Sequence, residues 1–393
     1  MNKQTYLILL FLIGLQFFKL SFLSPLFNNS WGYVTILGIW LIYGFFKWGK
    51  NNIRFCNKEL KYWYWIIIGI CSSMIPIYFE IGQSLFHSIW IYRTTIITYC
   101  CIPVLISIRF SYKEIIDSTF KFAIIYAIFF IILTIFPTLK IDSTDELGEI
   151  KVIAENDYGY TLEGLSLLLF PLYAFIVQYI KGTSNKVILL KITFIYSLIF
   201  FIQNRSLLFP ASIIIIFLLW KKKYMARIAI ITTVILVICI PKINPFQTLI
   251  TQTKEETSSK EYNRNIAYTY YLEKNFSSPQ QFLFGQGIKS SHLSNQQEQM
   301  KELSQLGINP SDVGFLGFMN LYGIIPIIIF CILLFKPLIH WNSYLLDTKL
   351  MSIHILICSL TISYFESFNH TIWFAIYFTL LFIKRKSSSI ITR

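Results

Sequence analysis

Long apolar runs separated by short polar turns recur along the chain, and one long polar stretch interrupts them. The runs lie near Thr5–Ser24, Trp31–Phe46, Tyr62–Phe79, Ser88–Ile108, Phe120–Pro137 and Tyr160–Ile180. They continue near Val187–Gln203, Ser206–Trp220, Met225–Pro241, Val313–Phe335, Leu350–Phe365 and Thr371–Ile383. A helix needs about 20 apolar residues to cross a hydrocarbon core of about 30 Å. Most of the runs approach that length, while Ser206–Trp220 and Thr371–Ile383 fall short of it. The pattern predicts an all-α polytopic integral membrane protein with about 12 transmembrane helices and one long extracytoplasmic loop.

Composition removes the soluble alternative. Hydrophobic residues make up 55% of the 393, aromatics 18% and charged residues 14%, with a mean hydropathy of +0.58. A soluble chain of this size would struggle to hide so much apolar surface from water. Charge then orients the helices. With both termini in the cytoplasm, most of the 34 basic residues fall in inside loops, in clusters such as Lys47–Lys61, Lys181–Lys191 and Lys221–Arg227. Of the 20 acidic residues only Glu59, Glu114, Asp117 and Asp347 share that side. This is the positive-inside pattern, and an error in the helix count would reverse every loop after it. The net charge of +14 is therefore a topology signal, which disfavours a nucleic-acid partner.

The expected organisation is residues 1–241 as helices one to nine, 242–312 as the long outside loop, and 313–393 as helices ten to twelve with a basic cytoplasmic tail. The first run lacks a small-residue cleavage site and is expected to remain as a helix that directs insertion. The seven cysteines show neither a disulfide framework nor metal spacing. Within the loop, Tyr262, Ile266, Tyr270 and Tyr271 recur near helical spacing. That pattern fits either an amphipathic helix lying on the membrane or a helix packed in a small outside subdomain.

Several outside positions are candidates for chemistry. Arg205, in the turn Gln203-Asn204-Arg205-Ser206, offers a permanently charged guanidinium that can grip a phosphate bidentately; position alone favours an arginine snorkelling at a helix end. Arg264 carries the same ambiguity, with a solvated surface charge as its commonest explanation. Arg93 lies roughly 9 Å into its helix at about 1.5 Å per residue, a costly depth that calls for a cavity or a partner such as Glu80. Asp312 opens the helix after the loop, where a carboxylate serves as a cap or as a general base at the membrane surface. His370 shares the last outside turn with Glu366 and Asn369. The Asp142, Asp145, Glu146 cluster is more simply a solvated acidic loop than a metal site, and no metal or other cofactor is expected.

Taken in order, Asn204-Arg205-Ser206-Leu207-Leu208, the loop arginine Arg264, the turn Leu283-Phe284-Gly285-Gln286-Gly287 and Asp312–Pro326 with its Asn320-Leu321-Tyr322-Gly323 core resemble the bacterial O-antigen polymerase and ligase superfamily. Ligases of that superfamily carry a His-Asn pair just before the helix that follows the long loop. Here Ser311-Asp312 stands there, and the nearby His292 is followed by Leu293, so the resemblance leans toward the polymerase branch. It implies glycosyl transfer on the outer face of a bacterial inner membrane. The donor is a growing glycan on undecaprenyl diphosphate and the acceptor a newly flipped lipid-linked repeat. Membrane lipid, a chain-length regulator and a flippase are the implied partners. On this reading Arg205 and Arg264 stabilise the leaving diphosphate, Asp312 is the base, and Arg93, Gly285, Gly287 and His370 help to bind substrate. Ligation of a finished glycan to a lipid A core or protein is the nearest alternative. A twelve-helix transporter or lipid-linked oligosaccharide flippase is the alternative from another class.

Overall fold

The computed structural model describes residues 1–20, 23, 30–52, 57–136, 164–182, 186–201, 205–220, 263–288, 308, 310–360 and 368–383. Among them helices dominate and no β-strand occurs. The first half of the chain forms α1 (Lys3–Gly14), α2 (Ser30–Gly44, continued by a π-helical turn Phe45–Gly49), α3 (Asn57–Ser72), α4 (Met74–Ile81), α5 (Leu85–Tyr99), α6 (Cys101–Ile108) and α7 (Tyr112–Ile135). It is followed by α8 (Leu169–Ile180), α9 (Lys186–Phe201) and α10 (Arg205–Trp220). Beyond these come α11 (Asn263–Asn275), α12 (Pro279–Phe284), α13 (Phe315–Tyr322), α14 (Ile324–Ile339), α15 (Leu346–Cys358) and α16 (Phe368–Phe382). Every apolar run carries helix except Met225–Pro241, which lies outside the described residues together with the acidic cluster at Asp142.

Three helical stretches among the described residues are long and apolar enough to cross a membrane: Leu60–Ile81, Leu85–Ile108 and Tyr112–Ile135. The last has 24 residues, about 36 Å at 1.5 Å per residue. It begins with a capping box in which Ser111 and Glu114 each satisfy the other's main-chain N–H. On its exposed flank lie Ile124, Ile128, Ile131 and Ile135, an i, i+4 stripe of the kind that faces lipid. The helices are thus those of a membrane protein.

Two helices are closed in on all sides. In α16 every residue from Thr371 to Leu381 is buried, and in α8 every residue from Leu169 to Val177. A helix that is apolar all round belongs in the middle of a bundle. α16 packs on α5, α6 and α15, and its Phe374 meets Phe330 of α14 at 5.0 Å between ring centroids. α14 crosses α3 and α15, and α8 lies between α7, α9 and α15. The predicted tenth span, Val313–Phe335, is broken: α13 ends at Tyr322, Gly323 leaves the helical path, and α14 starts anew.

Candidate functional site

At that break two helix ends press together. α12 stops at Gly285 (φ 75°, ψ −177°) and α13 stops at Gly323 (φ 77°, ψ −177°), a conformation essentially confined to glycine. A Cβ on Gly285 would stand 2.6 Å from the Gly323 nitrogen and from the Leu321 carbonyl oxygen. One on Gly323 would strike the Leu283 carbonyl. The Leu283–Gly287 turn and the Asn320–Gly323 segment are therefore two halves of one joint.

Hydrogen bonds extend the joint. The N–H groups of Gln286 and Gly287 donate to the carbonyls of Asn320 (2.6 Å) and Leu321 (2.9 Å), acceptors that the broken helix would otherwise leave open. The next N–H, of Ile288, donates to the Tyr92 hydroxyl at 2.8 Å. Ser73 Oγ donates to the Ile70 carbonyl at 2.6 Å and sits 2.8 Å from the same Tyr92 hydroxyl. Since the serine proton is used on Ile70, Tyr92 donates to Ser73 and accepts from Ile288. The loop is thereby tied to α5 and to the end of α3.

This geometry places three of the expected residues. Gly285 and Gly287 were placed among substrate-binding residues, but their N–H groups are committed to Gln281 and Leu321. Their Cα faces are closed by backbone or by Ile77. Arg93, one residue beyond Tyr92, leaves α5 about 100° further round. Its guanidinium donates to the Trp90 carbonyl and lies 5.0 Å from the Trp31 ring and 5.3 Å from the Trp90 ring. Cation–π contact stabilises a charge at that depth.

The loop helix α11 is a packed helix. Its Ala267 and Tyr271 are buried with Ile308 and Val313, and Leu316 of α13 packs against them. Burial raises the pKa of the neighbouring Tyr270 hydroxyl above its ordinary value, so it stays a neutral donor. Tyr268 donates to the Leu360 carbonyl at the end of α15, and Phe315 N–H donates to the Ser359 carbonyl at 2.9 Å. α11, the turn Pro310–Val313 and α13 thus form one unit seated on the end of α15. Leu272 of α11 and Phe276 just beyond it remain exposed, so part of this apolar surface is still available to lipid.

Arg264 lies in the first turn of α11, and Asp312 lies in the turn Pro310–Val313 against which α11 packs. Arg205 is the first residue of α10, which packs along α15. His370 opens α16. The side chains of these four lie outside the described residues. The elements carrying Arg264 and Asp312 are brought together, and α15 links them to the helix that Arg205 begins.

Three polar residues were missed by sequence reasoning. Tyr92 is the loop's anchor, Asn320 had been read only as part of a motif, and His354 lies fully buried on α15. His354 Nδ1 is 2.7 Å from the Tyr173 hydroxyl, and its Nε2 has no hydrogen-bond partner among the described residues. A lone histidine inside an apolar run was the available signal. No protein-family model matches the chain, and no curated protein matches it.

Proposed function

We propose that this chain is a membrane glycosyltransferase that polymerises oligosaccharide repeats carried on undecaprenyl diphosphate, working at the outer face of a bacterial inner membrane. The observation that supports it most is the single outer unit in which the helix of Arg264 packs on the turn of Asp312, with the glycine joint holding that unit to the bundle. An enzyme acting on a lipid-linked sugar needs its polar groups gathered in one place at the membrane surface. The expected arrangement of about 12 spans, both termini in the cytoplasm, belongs to this proposal.

The reaction joins an acceptor hydroxyl oxygen to the anomeric carbon of the donor while the bond from that carbon to the diphosphate breaks. Asp312 takes the hydroxyl proton. Arg205 and Arg264 stabilise the charge that gathers on the departing diphosphate, and such stabilisation in a partly dry site is a large catalytic term. The donor is already activated, so no nucleotide sugar takes part. Ser311-Asp312 in place of a His-Asn pair favours polymerisation over ligation.

The test is the length of surface glycan in cells lacking the native gene, complemented with variants at matched protein levels. Arg205→Ala and Arg264→Ala should each reduce polymerisation by about 100-fold or more, leaving one-repeat products on gels. Asp312→Asn should do the same. Long chains made by either arginine variant would sink the two-arginine mechanism, and retained activity of Asp312→Asn would reduce Asp312 to a helix cap. Accumulation of inward-facing single repeats would indicate a flippase, and loss of capped core would indicate a ligase.

A further inference from the structure

Asn320 sits in the last turn of α13 and is 7% exposed, and its Nδ2 is buried without a hydrogen-bond partner among the described residues. Its main chain is fully engaged, because the Asn320 carbonyl accepts from Gln286 at 2.6 Å and the helix ends three residues later at the glycine joint. The backbone is therefore held still while the side-chain donor is left idle. A buried donor with no acceptor is costly, and well-packed proteins rarely keep one without a use.

Helical spacing says where the side chain lies. Residues three and four earlier are Gly317 and Leu316, and residues so spaced share one face of a helix. Leu316 packs against the cluster of α11 and the Pro310–Val313 turn, and Gly317 lies hard against the Pro310 carbonyl. Asn320 thus belongs to the face of α13 covered by the elements that carry Arg264 and Asp312. The cover is held by a small apolar cluster, Ala267, Tyr271, Ile308 and Val313, separate from the main core. An element seated on a separate cluster can shift without opening the main core.

We infer that the Asn320 carboxamide is a ligand-anchoring donor that bonds a phosphate oxygen of a lipid-linked diphosphate when the α11 cover shifts. This rests on the proposed function. An N–H group requires an acceptor on the ligand, and a neutral donor beside elements bearing Arg264 suits an anionic oxygen better than a sugar hydroxyl. Asn320 is a positioning residue in this scheme, because the reacting carbon lies beyond the phosphate it would hold.

Binding to the purified full-length protein in detergent tests it, with farnesyl diphosphate as the probe and inorganic pyrophosphate as the comparison. Wild type should bind farnesyl diphosphate, and Asn320→Leu should bind it about 10-fold or more weakly. Asn320→Asp should lose still more, because it sets a negative charge against the phosphate. Asn320→Leu should also unfold about 1–3 °C higher than wild type, since it removes an unsatisfied donor from a buried place. A merely structural asparagine would give the opposite sign. Unchanged affinity in both variants, or a lower unfolding temperature for Asn320→Leu, overturns the inference and leaves the proposed function standing. Wild type failing to bind farnesyl diphosphate overturns both. Pyrophosphate binding as tightly as farnesyl diphosphate overturns the assignment to a lipid-linked ligand.

Discussion

The two rims of this bundle close their helix ends with a different balance of side chain and backbone. At the rim expected to face the cytoplasm, side chains do the work. Lys3 Nζ donates to the carbonyls of Ile108 and Arg109, the open end of α6, at 2.9 and 3.1 Å. Tyr112 donates to the buried Asp347 carboxylate at 2.5 Å, and Asn52 bridges the carbonyls of Trp48 and Ser107. At the other rim backbone makes the central joint: glycine meets glycine and main-chain N–H groups fill the end of α13, with the Tyr92 and Tyr268 hydroxyls bonding main-chain groups beside it. Where backbone closes a helix end, as at the Gly285–Gly323 joint, the side chains beside it are not consumed in the closure.

The strongest way to break this contrast is at the joint. Gly323→Ala must place a Cβ on the Leu283 carbonyl in a conformation alanine does not tolerate, and strain plus overpacking should cost about 3–5 kcal/mol. Thermal unfolding in detergent should show a large destabilisation or no folded protein at all; a wild-type melting curve would mean that the two helix ends do not meet. On the opposite rim, Tyr112→Phe removes the donor from a buried carboxylate and should cost about 2 kcal/mol while leaving glycan synthesis per folded molecule unchanged. A specific loss of synthesis in that variant would erase the functional difference between the rims. The smallest effect is expected from Lys3→Met, about 0.5–1 kcal/mol, because a cation on the last carbonyls of a helix is worth little when partly exposed. Denaturant titration resolves a change of that size, and an effect rivalling that of Gly323→Ala would show the side-chain caps to be the firmer closure.

Much of the fold was legible because a bilayer demands long apolar helices, and such runs can be counted by eye. The break at Gly323 was not, since Asn320–Gly323 sits inside an apolar run and only the approach of Leu283 explains why the chain leaves the helix there. The loop helix was legible as a helix from its tyrosine spacing. Its packing was not, because the residues that bury Ala267 and Tyr271 come from Ile308 and Val313, far along the chain. Arg93 shows the same limit: its depth predicted a partner, but Trp31 is recognisable as one only once α2 lies beside α5.

By itself the sequence determined that this is a helical membrane protein and which stretches of the chain carry its apolar helices. Those properties follow from local hydrophobicity, capping and charge, which act within a few turns of chain. Only the tertiary structure decided that α8 and α16 form the buried centre, that Gly285 and Gly323 are one joint, and that the Asn320 donor has no acceptor among the described residues. Apolar helices look alike until packed, and whether a polar atom is satisfied depends on neighbours that the linear order does not name.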